Sequence, residues 1–166
     1  METAVGGKMA KTKEIKPNAM RILDKKKIPY EVLQYECDEF IDGIHTARKN
    51  GVAPEQSFKT LVLQGKSRQY YVFVLPVAKE VPLKVAAKLA GEKSIEMIPM
   101  KDIKAVTGYV RGGCSPLGMK KPYPVFLHKS ALDYENIYIS GGRVGTTLCL
   151  TAEDFLAVTG ASVEEF

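Results

Sequence analysis

The feature that most constrains this sequence is a pair of apolar runs, SFKTLVLQG and QYYVFVLP, that together span Ser57 to Pro76. Both runs are rich in β-branched and aromatic residues, which is the composition of strands. The short polar turn GKSR, Gly65 to Arg68, separates them. Two strands joined by so short a turn pair antiparallel, so we expect the fold to be built around this hairpin.

Helical and strand patterns alternate around the hairpin. Five helices are predicted, in NAMRILDKKK with Asn18 as the cap, HTARKNG with Thr46 as the cap, VPLKVAAKLAG, MKDIKAVTG and TAEDFLAVTG with Thr151 as the cap. Further strands are predicted in YEVLQY, SIEMIP, VFLH, NIYIS and TTLCL. Several strands follow one another too closely for a crossover helix between each pair, so the order favours an α+β domain around a curved, barrel-like mixed sheet.

The length of 166 residues is enough for one core of ordinary size and requires no second domain. No apolar run approaches the roughly 20 residues of a membrane helix. The first 16 residues, METAVGGKMAKTKEIK, are charged and lack the apolar centre of a signal peptide. We therefore expect residues 1–16 to be a disordered tail or an expression remnant, residues 17–166 to form the domain, and the protein to be cytoplasmic.

The formal net charge is +5, and lysine greatly outnumbers arginine. Such a balance suits contact with phosphates better than bidentate base readout, although many basic proteins bind no nucleic acid. The three cysteines, Cys37, Cys114 and Cys149, are far apart and form no CxxC pair, and the chain has only two histidines. Neither a zinc site nor a disulfide framework is expected from this spacing, and we expect no metal and no cofactor.

Lys59 is the first residue that could carry chemistry. Alternation along FKTLVL places it on the same strand face as Leu61 and Leu63, with Thr60 on the other. A lysine at the head of an apolar face either covers that face with its stem while its charge stays in water, or lies at the mouth of a pocket. In a pocket, its ammonium could bind a phosphate or a reacting ester.

Two glycine-rich turns, GGCSPLG at Gly112–Gly118 and SGGRVG at Ser140–Gly145, are the other candidates. Consecutive glycines permit close approach of a ligand, and exposed amides in such a turn can bind an anion or a carbonyl oxygen. The structural alternative is a tight turn with a small buried cysteine, or a simple hairpin connection. Neither turn has the spacing of a P-loop or of a dinucleotide-binding fingerprint.

The usual nucleophiles have no visible activating base. A Cys–His pair would require His45 or His128 beside Cys114, and no known spacing supports either. Each histidine is interpreted as a surface or capping residue. A serine triad would require a G-x-S-x-G elbow, which Ser115 does not have. Covalent catalysis by a residue of this chain is therefore disfavoured.

Taken in order, DGIHTA, PEQSFKTLVL, TGYVRGGCSPLGMKK and IYISGGRVG resemble the YbaK/EbsC family of free-standing aminoacyl-tRNA deacylases. These proteins are relatives of the editing domain of bacterial prolyl-tRNA synthetases. The resemblance runs from about Asn18 to about Gly160. It implies a compact α+β domain with a curved mixed sheet, consistent with the pattern above.

The resemblance also implies a site. Lys59 would be the catalytic lysine beside the aminoacylated 3′ CCA end of tRNA, and Tyr35 would face the same pocket. The substrate-binding residues implied for the two glycine turns are Gly112, Gly113, Ser115, Pro116, Gly118, Gly141 and Gly142. Some relatives carry an Asp at the position of Thr147, so no role of that Asp transfers to this chain.

In this family the reactive thiol is thought to belong to the substrate, Cys-tRNA(Pro), whose side chain attacks its own ester and leaves as a thiolactone. Cys114 is then interpreted as a packing residue, and Ser115 as one that shapes the loop by hydrogen bonding. The substrate could instead be Ala-tRNA(Pro) or another small misacylated tRNA, because one methylene supplies only about 1–3 kcal/mol of discrimination. A non-catalytic module that binds tRNA or a synthetase is the alternative from another class, and prolyl-tRNA synthetase is a possible partner.

Overall fold

The structure is a computed structural model that describes residues 16–34 and 43–166. Most of the predicted tail and the predicted pocket residue Tyr35 lie outside the described residues, as does Cys37. None of the helices in the described part of the chain is long and apolar enough to cross a membrane.

Helices and strands are interleaved along the chain as the sequence predicts. The helices are α1 (Asn18–Lys25), α2 (Gly43–Asn50), α3 (Leu83–Ala90), α4 (Ile103–Thr107) and α5 (Ala152–Thr159). The strands are β1 (Glu31–Gln34), β2 (Phe58–Gly65), β3 (Tyr70–Pro76), β4 (Ile95–Met97), β5 (Val125–His128), β6 (Asn136–Ser140), β7 (Thr146–Thr151) and β8 (Ser162–Glu164). Short 3₁₀ turns at Pro54–Gln56, Met100–Asp102 and Lys129–Asp133 complete the order.

The predicted hairpin is confirmed and lies at the centre of the larger of two sheets. Strands β2 and β3 pair antiparallel from Phe58 opposite Pro76 to Gln64 opposite Tyr70. The five-stranded sheet has the order β4-β2-β3-β5-β8, in which β5 pairs parallel with both of its neighbours. A three-stranded antiparallel sheet, β1-β7-β6, meets it through a single parallel bridge between Ser57 and Tyr138. The mixed α+β class is confirmed, but the strands described here form two joined sheets and no closed barrel.

The two faces of the hairpin pack against different parts of the chain. Phe58, Val72 and Val74 belong to the main core with α1 and the three-stranded sheet. Leu63, Phe73 and Leu75 belong to a second cluster with α3 and the aromatic rings of β5 and the C-terminus. The alternation predicted along β2 therefore has a direct structural counterpart, because successive side chains of a strand point to opposite faces.

Glycines directly follow the ends of several helices. The chain adopts left-handed backbone at Gly91, Gly108 and Gly160, directly after α3, α4 and α5. At the start of α5, the Thr151 hydroxyl accepts a hydrogen bond of 3.0 Å from the Asp154 amide, as the predicted cap requires.

Two predicted caps are wrong. Pro17 occupies the cap position of α1, and the Asn18 side chain instead donates to the carbonyl of Gly118 at 3.4 Å. Helix α2 begins at Gly43, so Thr46 lies inside it. In α1 a distant loop attracts the amide more effectively than its own helix end does, and sequence cannot reveal such a competitor. The sequence also gave no signal for β8, whose pairing with β5 is a tertiary contact.

Candidate active site

The loop Gly112–Gly118 follows α4, and a backbone hydrogen bond of 3.1 Å from the Lys120 amide to the Thr107 carbonyl closes it. Gly112 and Gly118 both have positive φ, at 83° and 71°, which favours glycine. Ser115 is fully buried, and its hydroxyl accepts from the Leu117 amide at 3.3 Å. Pro116 is buried as well. The serine therefore shapes the turn by hydrogen bonding, as the sequence interpretation states.

The two glycine-rich turns pack directly against each other. A Cβ placed on Gly113 would lie 2.6 Å from the Cα of Arg143, far inside van der Waals contact with backbone. Gly141 is equally enclosed, with its ideal Cβ 2.7 Å from the Thr146 methyl group, and its amide donates to the Thr146 carbonyl at 2.8 Å. Glycine at Gly113 thus allows the two turns to touch through backbone, and glycine at Gly141 allows the second turn to close tightly on Thr146.

Tyr109 is the side chain that fixes this arrangement. It is only 6% exposed, and its hydroxyl donates to the Leu117 carbonyl at 2.5 Å. Its ring and hydroxyl lie 3.0 Å from ideal Cβ positions on Gly142 and Gly118, respectively. Burial raises the pKa of Tyr109 to about 12, so the phenol remains a donor throughout the physiological range.

The sequence analysis gave Tyr109 no role, although the residue lies inside the TGY motif that carries the resemblance. The available signal was an aromatic residue between a helix stop at Gly108 and a glycine turn. The start of α1 closes the same assembly, because Pro17 contacts Gly142 and Asn18 binds Gly118.

Lys59 is half-buried near the start of β2, opposite Leu75 of β3. Loss of hydration lowers its pKa, and the negative charge of Glu80 partly opposes this effect. Alternation places the side chain on the face of Leu61 and Leu63. No hydrogen bond joins Lys59 to the glycine turns among the described residues, and Leu61 and Leu63 on its strand face pack against α3.

Thr60 lies on the opposite face of the strand from Lys59. The next residue on that face, Val62, packs in a small apolar cluster with Ile98 and Val106, and Cys114 of the glycine loop packs against the same cluster. Thr60 therefore faces the side of β2 from which the loop approaches. Its hydroxyl oxygen is buried and has no hydrogen-bond partner among the described residues.

The edge of β2 is also open at Thr60. Ser57 bridges to β6, and the Val62 carbonyl accepts from the amide of Ile98, directly after the end of β4, at 3.2 Å. Thr60 lies between these two attachments. Sequence reasoning missed this residue, since a threonine in a strand has no distinguishing pattern until the neighbouring strands are known to separate there.

Cys114 is a packing residue in this structure. Burial raises the pKa of its thiol to about 11, so the sulfur is protonated at neutral pH. His128 lies elsewhere: its Nδ1 pairs with Ser130 at 2.9 Å, and its ring contacts Phe166 edge-on. The capping role predicted for His128 is confirmed, and the arrangement supplies no base for the thiol.

Thr147 is buried in β7. Its hydroxyl accepts from the side-chain amide of Asn50 at 3.1 Å, which ties the end of α2 to the smaller sheet. Within residues 16–34 and 43–166, no group of three or more His, Cys, Asp or Glu side chains is placed to bind a metal ion.

Comparison with known proteins gives a consistent result. Residues 44–158 match the aminoacyl-tRNA editing domain family. EbsC of Enterococcus faecalis, provisionally named a Cys-tRNA(Pro)/Cys-tRNA(Cys) deacylase, is 39% identical over 159 residues, covering 95% of this chain and 97% of EbsC.

Solved structures share the fold. One, provisionally named a trans-editing enzyme for prolyl tRNA synthetase, has a TM-score of 0.80 at 24% identity and covers 92% of this chain and 98% of its own. Another, a hypothetical protein, has a TM-score of 0.81 at 20% identity, with 89% and 97% covered. On the family match and the extent of identity to EbsC, the chain belongs to the aminoacyl-tRNA editing domain family.

Proposed function

We propose that this protein is a trans-acting deacylase that removes cysteine from mischarged Cys-tRNA(Pro). Family membership gives the class of reaction, and the name of the EbsC relative gives the amino acid and the tRNA. One structural observation carries the chemistry: the Cys114 thiol is protonated and in packing contact, so the loop offers a binding surface and no activated thiol.

The substrate supplies the nucleophile in this proposal. The cysteine sulfur attacks the carbonyl carbon of its own ester, a C–S bond forms, and the C–O bond to the ribose breaks. The thiol proton passes to the departing ribose oxygen, which leaves a thiolactone and deacylated tRNA. The enzyme then has to position and polarise the ester, and correct positioning alone can contribute several kcal/mol to such an intramolecular step.

We assign the polarising groups as follows. Amides of the Gly112–Gly118 loop bind the carbonyl oxygen as negative charge develops on it. We assign the polarisation of the ester to the ammonium of Lys59 on the family resemblance alone, because alternation places this partly dehydrated lysine on the face of β2 opposite Thr60 and the loop. The Thr60 hydroxyl, which lacks a partner among the described residues, donates to or accepts from the terminal ribose. A buried hydroxyl without a hydrogen bond costs about 1–3 kcal/mol, which substrate binding would recover.

The direct test is deacylation of Cys-tRNA(Pro), Ala-tRNA(Pro) and Pro-tRNA(Pro) by wild type, Lys59→Ala and Thr60→Val. We expect rapid loss of cysteine alone, a fall of about 100-fold in Lys59→Ala, and about tenfold in Thr60→Val, with both variants folded. Lys84→Ala, on the exposed side of α3, is the matched lysine control and should behave as wild type. Full activity in Lys59→Ala would remove the lysine from the site.

The same assay separates the alternatives. Loss of alanine in place of cysteine would assign the sister specificity, and no loss from any substrate would favour a binding module without catalysis. Ser-tRNA(Pro) tests the thiol, because a hydroxyl of similar size is a weaker nucleophile. If serine leaves as fast as cysteine, hydrolysis by water replaces the thiolactone route.

We further propose a cytoplasmic location and an association with prolyl-tRNA synthetase, since the predicted elements and the described fold include no separate domain for anticodon recognition. A pull-down with the synthetase and tRNA(Pro) together tests this partner. Recovery of neither component would mean that the deacylase acts on free aminoacyl-tRNA.

A further inference from the structure

Acidic residues are scarce in one segment of this protein, which gives that segment a net positive charge. Residues 97–132 contain six of the 24 Lys and Arg residues but only one of the 19 Asp and Glu residues. The rest of the chain therefore has equal numbers of both signs, and the entire formal net charge of +5 belongs to this segment. The same segment contains α4 and the Gly112–Gly118 loop, so the charge lies beside the candidate site.

Hydrogen bonds gather the two arms of the segment into one surface. The Lys120 amide donates to the Thr107 carbonyl at 3.1 Å, and its ammonium donates to the Ala105 carbonyl at 3.0 Å. The Tyr123 hydroxyl donates to the Val106 carbonyl at 2.7 Å. Residues 120–123 are thus fixed against α4, and the glycine loop connects the two arms. We call this surface the α4 surface and define it by Lys104, Arg111, Lys120 and Lys121.

Lys104 and Lys121 are exposed on this surface. Exposed lysines bind phosphate as point charges without demanding a fixed geometry, which suits contact with a nucleic acid backbone whatever its sequence. Asp102 is the single carboxylate of the segment and offsets only one of its charges. An extended polyanion that meets this surface would pass directly beside the glycine turns.

We propose that the α4 surface binds the phosphate backbone of the tRNA acceptor stem and guides the 3′ CCA end to the Gly112–Gly118 loop. The choice of RNA rests on the proposed function. The contact itself is independent of catalysis, because it needs neither Lys59 nor the aminoacyl group. Lys84 and Lys88 of α3, on the opposite face of the hairpin, make no such contact in this proposal.

The test compares two variants that lose the same charge. Lys104→Gln/Lys121→Gln alters the α4 surface, whereas Lys84→Gln/Lys88→Gln removes two exposed lysines from α3. Binding is followed by fluorescence anisotropy at several salt concentrations. The probe is an acceptor-stem RNA hairpin with a single-stranded 3′ CCA tail and no amino acid attached. We expect the α4-surface variant to lose about tenfold in affinity and to lower the slope of log K against log salt by about 1.4 to 1.8, corresponding to two phosphate contacts. The α3 variant should match wild type.

An activity measurement accompanies the binding assay. The α4-surface variant should raise KM for the aminoacylated hairpin and leave cleavage of an aminoacyl ester of adenosine unchanged, because that ester has no stem. Wild-type affinity and salt slope in the α4-surface variant, an equal loss in the α3 variant, or no binding of the hairpin by wild type would each overturn the inference. If wild type cleaves no misacylated tRNA while the variant still loses hairpin binding, the proposed function fails and the α4 surface stands.

Discussion

The aromatic cluster of the larger sheet and the two glycine turns are both buried, but side-chain contacts hold the first together and backbone contacts hold the second. In the aromatic cluster, Phe73 stacks on Phe126 at 4.8 Å and meets Phe166 edge-on at 5.2 Å. In the glycine turns, backbone touches backbone, and the space at Gly113 cannot accommodate one carbon atom. Side chains fill the first region, and their absence shapes the second.

The aromatic cluster therefore contributes mainly to the stability of the fold, and the glycine turns mainly to the geometry of the candidate site. Burial of large apolar side chains supplies most of the free energy of folding, and such a core can repack around small changes. Two turns held in backbone contact bury little apolar area but have almost no freedom to adjust. We therefore expect substitutions in the aromatic cluster to change mainly the free energy of unfolding, and substitutions in the glycine turns to change mainly activity.

The largest expected effect tests the first half of this comparison. Phe73→Ala should lower the free energy of unfolding by about 3–5 kcal/mol, since it deletes a fully buried ring with two aromatic neighbours. The deacylation rate per folded molecule should change less than threefold. Chemical denaturation and an assay at low temperature measure the two quantities. A large loss of activity in the folded variant would show that the two regions are mechanically coupled.

Gly113→Ala tests the second half. The new Cβ would lie 2.6 Å from the Cα of Arg143, so the two turns must separate. We expect a cost of about 1–3 kcal/mol in stability from overpacking and a fall of about 100-fold in activity from misplaced amides. Gly51→Ala is a control for a glycine substitution without a clash, since nothing lies within 4 Å of its ideal Cβ; any loss of stability there reflects its left-handed backbone, which Gly113 does not share. Retention of activity in Gly113→Ala would exclude these amides from the reaction.

Cys114 should give the smallest effect. Cys114→Ala is expected to retain activity within about twofold and to cost about 1 kcal/mol in stability, which sharpens the distinction between packing and chemistry in the loop. Because burial raises the pKa from 9.0 to about 11, the thiolate fraction below pH 9 should be about 100-fold lower than that of an unperturbed thiol and should rise with pH.

Iodoacetamide labelling of the folded protein at pH 7 to 9, read by mass spectrometry at Cys114, measures this fraction against a free thiol. Rapid labelling at pH 7 would contradict the protonated thiol on which the substrate-assisted mechanism depends.

The correct predictions concern local patterns in the sequence, and the wrong or missing ones concern contacts that only folding creates. The hairpin and the cap at Thr151 were predicted because each depends on a pattern within a few residues of chain. The cap predicted for Asn18 was wrong, and Tyr109 was overlooked, because their partners at Gly118 and Leu117 are chosen by the fold. A rule based on neighbouring residues cannot predict that a side chain will bind a distant carbonyl instead of a nearby backbone group.

By itself, the sequence determined the mixed α+β class, the central hairpin and the two glycine turns, since period-two alternation and glycine backbone freedom are properties of short segments. Only the tertiary structure decided that the two turns meet, that the Cys114 thiol is buried, and that Thr60 faces the loop while Lys59 lies on the other face of β2. Those results depend on which strands become neighbours and where they separate. Burial, pKa and hydrogen-bond partners follow from that arrangement, because each is set by the atoms surrounding a group in space.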